Sequence, residues 1–391
     1  MFSIRTYNAI SPAGLARLPA DAYQTGPDID QPDAIMLRSF DLHGTELPES
    51  VLAVGRAGAG VNNIPVQSLT RRGIPVFNAP GANANAVAEL VLAGMLMASR
   101  NLTAAWAFTQ DLEGDNDALH HQIEKEKKRF AGCELHGRTL GVIGLGAIGV
   151  RVANAASALG MRVIGFDPLL TVDNARQLNR DIAHTPHLDR LLEQADFVTL
   201  HIPLNEETRH FMGHERLAKL KSGAVLLNFS RGATVDIEQT VHAMNTGRLK
   251  AYVTDFPDVR LISQPGSIVL PHLGASTVEA EDNCAIMVAD QLRDFLETGS
   301  LRHAVNFPDI YLPLPGGSTT RLAIANDNIP GMVSRITSII GENRLNILEL
   351  VNKSRGNEAW TLIDVEGDNQ LDEALHTIRQ LSGVLSARKI R

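Results

Sequence analysis

The segment Gly144-Leu145-Gly146-Ala147-Ile148-Gly149 follows the apolar run Thr139–Ile143 and opens a helix-forming stretch that ends near Leu159. Few patterns restrict a fold more. The first glycine permits a tight strand-to-helix turn, the second lets backbone approach a pyrophosphate, and the third lets the helix lie close on its strand. Unpaired N–H groups at the helix start complete an anion site to which Leu145, Ala147 and Ile148 also belong. Asp167 ends the next apolar run, Arg162–Phe166, roughly 20 residues on, where a carboxylate meets the adenosine ribose hydroxyls. Strand, glycine turn, helix, strand and acid in this order predict a dinucleotide-binding unit. Pro168-Leu169-Leu170 offers no arginine for a 2′-phosphate, so NAD is expected rather than NADP.

The other bounds are broad. A chain of 391 residues is long for one core and predicts two or three domains. A net charge of −8 argues against a surface built to coat nucleic acid. Cys133 and Cys284 are too few for a disulfide framework, and Met1-Phe2-Ser3-Ile4-Arg5 lacks an apolar signal core, which points to the cytoplasm. Leu90–Ala98, close to Glu89 and Arg100, is too short to span a bilayer, so no membrane partner is expected. No metal site is expected.

Short apolar runs at 34–37, 51–54 and 75–77, with a helical stretch at 85–99, predict a first small α/β unit. A second begins at Thr139, with later strands at 197–200, 225–228, 251–254 and 268–270 and helices at 214–220 and 237–245. The mixed-charge stretch 100–133 reads as a solvated helical face. Residues 278–296 form one long helix, and 306–318, with Pro308, Pro313, Pro315, Gly316 and Gly317, read as a linker. The remainder has a β-α-β-β-α-β order. The expected fold class is therefore α/β: two Rossmann-like or flavodoxin-like domains with an active-site cleft, plus a C-terminal α+β ferredoxin-like domain. The expected division is 1–100 with 283–310, then 101–282 for NAD, a linker at 311–319 and a last unit at 320–391.

Ligands of doubly wound sheets bind beyond the carboxyl ends of the strands. Three such segments carry reactive groups. Asn228-Phe229-Ser230-Arg231-Gly232 presents an arginine, Asp255-Phe256-Pro257-Asp258 two carboxylates, and Pro271-His272-Leu273-Gly274-Ala275-Ser276-Thr277 a histidine. Oxidation of an alcohol by a nicotinamide needs a base, and imidazole titrates in the useful range. A substrate carboxylate needs a planar two-pronged donor, which arginine supplies.

These segments, with Gly55-Arg56-Ala57-Gly58-Ala59-Gly60-Val61, resemble the D-2-hydroxyacid dehydrogenase family over nearly the whole chain. The tail, from Arg321-Leu322 through Asn328-Ile329-Pro330-Gly331, resembles an ACT domain, a small-molecule regulatory module. The resemblance implies a substrate-binding role for 1–100 with 283–310, a regulatory role for 320–391, Arg231 as the group that orients the substrate and His272 as the acid/base. It implies that backbone N–H groups of Ala57, Gly58, Ala59 and Gly60 receive the substrate carboxylate. Arg56, with Arg38 second, would hold a phosphate, so the expected substrate is a phosphorylated hydroxy acid. Asp255 would lie near the nicotinamide carboxamide, and His201 and Pro203 near the adenine. Asn326, Asn328, Gly331, Met332 and Asn346 match a serine-binding face, and open sheet edges imply a homo-oligomer. One departure stands out. The family places a glutamate a few residues after the Asp255 position to bond the catalytic histidine, and here Asp258 or Asp255 must serve. The alternatives are a dehydrogenase for an unphosphorylated 2-hydroxy acid, or a non-catalytic NAD(H) sensor that binds partner proteins.

Overall fold

The computed structural model describes residues 1–314, 316, 319–367 and 370–390. Pro315, Gly317 and Ser318 of the expected linker lie outside them. Strands β1 (Phe2–Tyr7), β2 (Tyr23–Gly26), β3 (Ala34–Leu37), β4 (Ala53–Arg56) and β5 (Val76–Phe77) form a parallel sheet in the order β2-β1-β3-β4-β5, a flavodoxin-like arrangement. The first two strands carry no long apolar run, and Ile4 alone is buried in β1, which hid them from pattern reading.

A second parallel sheet contains β6 (Thr139–Ile143), β7 (Arg162–Phe166), β8 (Ala183–His184), β9 (Phe197–Leu200), β10 (Ala224–Asn228), β11 (Leu249–Thr254) and β12 (Ser267–Val269). Its order, β12-β11-β10-β9-β6-β7-β8, runs outward in both directions from β6, so the order reverses between β6 and β9. The third sheet is antiparallel: β13 (Thr319–Asp327), β14 (Asn346–Arg355), β15 (Glu358–Glu366) and β16 (Val384–Ile390), in the order β14-β15-β13-β16. Helices Met332–Glu342 and Leu371–Arg379 cover one face with Ile336, Ile340, Leu375 and Ile378, giving a ferredoxin-like layer.

The chain divides into two compact units, Met1–Asn83 with Val278–Arg391, and Ala84–Thr277. The expected boundaries near 100 and 282 fall instead at 83/84 and 277/278, both nearer the N-terminus, for a physical reason. Helix Ala84–Arg100 turns Val87, Val91, Met95 and Ala98 into the core of the second sheet. A Cβ on Gly94 would already meet Phe229 and Val253 at 3.1 Å. Helix Val278–Thr298 packs on the first sheet, with Val288 and Leu292 against the bare face of Gly55.

The third sheet belongs to the first unit, and the segment expected as a linker turns alternate side chains inward. Phe307, Ile310 and Leu312 are buried. Arg321, 2% exposed, satisfies all five of its donors. It grips Asp364 with Nε and Nη2 at 2.7 and 2.8 Å and donates to the carbonyls of Thr298, Leu312 and Pro313. The Trp360 indole N–H donates to the Gly299 carbonyl at 3.1 Å, with its ring against Phe295 and Phe307. Removing one member of such a pair strands the other charge. Asp364→Asn should lower unfolding free energy by about 3–5 kcal/mol, read from urea denaturation. A loss under about 1 kcal/mol would show that the pair does not hold this layer in place.

Candidate active site

The parallel ladder of the second sheet sets the level of every chemistry-bearing segment in the second unit. Ile143 pairs with Phe166 and with Leu200, Leu200 with Asn228, Asn228 with Thr254, and Thr254 with Val269. The residues that follow these strand ends therefore emerge along one edge. They include Gly144, Asp167, His201, Arg231, Asp255 and His272.

Gly144 has φ +91°, and a Cβ there would meet the His201 carbonyl at 2.4 Å. A Cβ on Gly149 would fall 1.9 Å from the Gly144 carbonyl oxygen, so helix Ala147–Ala158 can lie this close only on glycine. Gly146 differs: nothing lies within 4 Å of its Cβ position. Open space at the middle glycine, before a helix N-terminus with no side-chain cap, fits a pyrophosphate. The Leu145 N–H is not part of that cradle. It donates to Asp167 Oδ2 at 2.8 Å, and Leu169 N–H donates to Oδ1 at 2.8 Å. Both carboxylate oxygens are thus oriented, and each keeps acceptor capacity for a ribose hydroxyl.

His201 is half-buried, yet its Nδ1 is shut off from solvent and bonds nothing among the described residues, while Nε2 meets Thr199 Oγ1 at 3.0 Å. Burial holds this imidazole down at about 3, so it is neutral at physiological pH. Pro203 is exposed, and its carbonyl accepts the Thr208 hydroxyl at 2.7 Å.

Arg231 is exposed after β10, and its Nη1 donates to the Ser230 carbonyl at 2.7 Å. Its loop is held by fully buried Asn228, whose Nδ2 donates to the Arg231 carbonyl at 2.9 Å and whose Oδ1 accepts from Ser230 N–H and O–H. Asn228 is a positioning residue not singled out from sequence; its signal was a buried-strand position ending in an amide. His272 has φ +50°, a left-handed conformation that costs an L-residue about 1–2 kcal/mol. It is held there by its own N–H, which donates to the carbonyls of Asp255 and Leu270 at 2.9 and 3.1 Å. Phe256 packs on its imidazole, ring centroids 5.2 Å apart.

The two candidate carboxylates separate. Asp258 is gripped by Arg260 through Nε and Nη2 at 2.8 and 2.7 Å, which holds it down at about 2. Of the two carboxylates expected as alternatives behind His272, Asp258 is thus engaged by an arginine two residues on. Asp255 is 1% exposed, accepts the Gly274 N–H on Oδ2 at 2.8 Å, and has an Oδ1 with no partner among the described residues. Burial raises its pKa, opposed by the Gly274 N–H and by the charge of His272.

In the first unit, Arg56 ends β4 level with Leu37 of β3, which Arg38 follows. Burial pushes the Cys284 thiol up to about 11, opposed by the charges of Arg56 and then Arg38. Arg38 also pairs with Glu281 at 2.6 Å. The loop Ala57–Gly60 is pinned by Ala57 N–H to Leu37 carbonyl, 2.7 Å, and by the Asn78 amide to the Ala59 carbonyl, 2.6 Å. A Cβ on Gly58 would lie 2.4 Å from Arg56 Nη1.

Of the expected effector residues, Asn346 is set apart from the other four within one chain. Asn326 is buried, donating to the Asp327 carbonyl and accepting from Thr361, and Asn328 donates to the Gly356 carbonyl. Gly331, at φ +79°, precedes buried Met332 at the start of its helix. Asn326 sits level with Ala359, whereas Asn346 sits level with Glu366. That is seven residues along β15, roughly 23 Å at about 3.3 Å per residue.

Residues 92–274 match the family model for the NAD binding domain of D-isomer specific 2-hydroxyacid dehydrogenases. A D-3-phosphoglycerate dehydrogenase of Methanocaldococcus jannaschii is 38% identical over 271 residues, 68% of this chain and 49% of that protein. Another, from Escherichia coli K12, is 33% identical over 354 residues, 87% of this chain and 82% of that protein. The chain spans about half the length of the Methanocaldococcus and Synechocystis relatives that it matches. A solved glyoxylate reductase from Paecilomyes thermophila superimposes with a TM-score of 0.64 at 27% identity, over 78% of this chain and 98% of that one. An NAD+-bound 3-phosphoglycerate dehydrogenase from Entamoeba histolytica shares the fold, with a TM-score of 0.59 at 24% identity over 78% of this chain and 98% of that one. No helix among the described residues is long and apolar enough to cross a membrane.

Two outcomes follow from this geometry. Gly146→Ala should leave the unliganded protein within about 1 kcal/mol of its stability yet weaken NADH binding at least about tenfold by fluorescence titration. An unchanged affinity would remove the pyrophosphate from that space. His201, neutral when folded down to about 3, takes a proton near 6.5 when unfolded. Its contribution to stability is therefore present above pH 6.5 and declines as pH falls toward 3, by up to about 2 kcal/mol at pH 5. Urea unfolding of His201→Gln should show that much less loss between pH 7 and pH 5.

Proposed function

The chain belongs to the D-isomer-specific 2-hydroxyacid dehydrogenase family, and from that premise we propose that it oxidises 3-phospho-D-glycerate with NAD to 3-phosphohydroxypyruvate, the entry step toward L-serine. One observation carries the chemistry. An arginine and a histidine follow strands β10 and β12 of the sheet that bears the dinucleotide turn, and the histidine is held in a strained backbone conformation. NAD, when bound, supplies the acceptor for the C2 hydride. His272 takes the C2 hydroxyl proton on its imidazole. Arg231 holds the substrate carboxylate and polarises the forming carbonyl. Asp255, with an unpartnered buried Oδ1 and a charge coupled to His272, is the carboxylate we assign to orient that ring. Arg56, with Arg38, is assigned to the substrate's phosphate, and the N–H groups of Ala57–Gly60 to its carboxylate. Asp167 and the Gly144–Gly149 turn are assigned to NAD, with His201 and Pro203 toward its adenine.

A homo-oligomer, feedback by serine and a cytoplasmic setting belong to the same proposal. Strand β14 is an edge of the third sheet. With Asn346 remote from Asn326 and Asn328 in one chain, an amino acid would meet all three only where two copies adjoin.

Initial rates with NAD and a hydroxy-acid panel, with and without L-serine, test this reading. 3-Phosphoglycerate should be the preferred substrate. His272→Asn should lower kcat about 10²–10⁴-fold with NADH affinity kept, and Asp255→Asn should lower kcat/KM while Asp258→Asn leaves it unchanged. Arg56→Gln should raise KM for the phosphorylated acid far more than for a short hydroxy acid. NADH binding with no turnover of any 2-hydroxy acid, or any 2-oxo acid in reverse, would replace the enzyme with a sensor.

A further inference from the structure

A cavity of about 340 Å³ in the first unit is lined by three arginines: Arg72, which follows helix Val66–Arg71, and Arg379 and Arg388 from the third-sheet layer. Glu49 is the acidic residue of the lining, and Phe295 and Trp360 supply apolar wall. Each guanidinium is held by backbone rather than by a carboxylate. Arg72 Nη2 donates to the Pro48 carbonyl at 3.1 Å, Arg379 Nε to Ala387 at 2.8 Å and Arg388 Nη2 to Phe295 at 2.6 Å. The Ser386 hydroxyl donates to the Gly73 carbonyl at 3.0 Å, joining the two sides of the cavity.

Arg388 is the informative member. Its guanidinium stacks 4.2 Å from the Phe295 ring centroid, and its Nε is shut off from solvent with no partner among the described residues. Interior guanidinium groups ordinarily face a carboxylate, as Arg321 faces Asp364. The acid whose charge Arg388 feels is Asp33, whose Oδ2 already accepts the Ser3 N–H and hydroxyl. Burial lowers Arg388 to about 9, the mark of a cation without enough compensation. Three arginines and one glutamate lining one cavity leave it a surplus of positive charge, which an anion would offset.

We propose that this cavity binds a polyvalent oxyanion, a phosphate monoester or a polycarboxylate, through Arg72, Arg379 and Arg388. Planar guanidinium forks match such oxygens two at a time. None of these residues is among those assigned to substrate or NAD. An occupied site would brace the third sheet against the Arg72–Ile74 turn that leads into β5.

Thermal unfolding of the full chain in inorganic phosphate, in citrate and in sodium chloride at equal ionic strength tests the site. Phosphate, citrate or both should raise Tm saturably above chloride for the wild type, and the arm that responds identifies the anion class. Arg72→Gln and Arg379→Gln should each shrink that rise at least fivefold, while melting no lower than wild type in chloride, because a repelling charge has been removed. Arg56→Gln should keep the rise, which separates this site from the proposed substrate phosphate. Arg72 is exposed and makes one carbonyl bond, so its variant folds. Equal melting in oxyanion and chloride would overturn the proposal. So would a full phosphate and citrate response in both Arg72→Gln and Arg379→Gln.

Discussion

The parallel ladder through β6, β9, β10, β11 and β12 is the constraint on which the candidate site depends. Strands β6, β9 and β10 are buried throughout, so a one-residue slip would exchange the side chains packed on the two faces, and the register that avoids this sets the level of each strand end. Val225–Asn228 opposite Phe197–Leu200, and Tyr252–Thr254 opposite Ser267–Val269, fix where the chain leaves the sheet. Gly144, Arg231, Asp255 and His272 are scattered over more than a hundred residues of sequence, yet they share one edge. The three glycines then set how near the first helix and a ligand can come to that edge.

Polar support behind the edge is economical. Asn228 uses one buried amide to hold both the Arg231 carbonyl and the Ser230 hydroxyl. The Asp255 backbone carbonyl holds His272 in its left-handed conformation, while the Asp255 carboxylate is kept partly unsatisfied in a buried setting that raises its pKa. Such a group interacts strongly with any charge or donor placed beside it. In the first unit the same logic appears twice with opposite outcomes. Arg321 has every donor matched, whereas Arg388 keeps a buried Nε unmatched.

Much of this was legible from residue patterns. The apolar runs located most strands of the second sheet to within a few residues, because buried parallel strands leave strong signals, and the β-α-β-β-α-β order of the last segment matches the third sheet and its two helices. Strands β1 and β2 were missed because Phe2-Ser3-Ile4-Arg5-Thr6-Tyr7 buries a single side chain fully. The linker reading of 306–318 rested on proline and glycine content, and it could not register that distant Arg321 would draw the Leu312 carbonyl inside. Residue patterns do not distinguish an Asp258 free to face His272 from one closed on Arg260, two residues away, which is the arrangement the fold adopts.

Sequence by itself determined the local chemistry: a glycine turn that only a strand–helix junction explains, an acid at ribose distance, and reactive side chains placed after strands. These are short-range properties, set by backbone sterics and by the next few residues. Tertiary structure alone decided which groups meet. It assigned helix Ala84–Arg100 to the second unit through the apolar stripe Val87-Val91-Met95 and drew Arg321 onto Asp364. It also set Asn346 at the far end of β15 from Asn326 and gathered Arg72, Arg379 and Arg388 around one cavity. Those outcomes depend on burial and on pairing between segments well separated in sequence, where a side chain's partner is chosen by the packing of the whole layer and not by its neighbours in sequence.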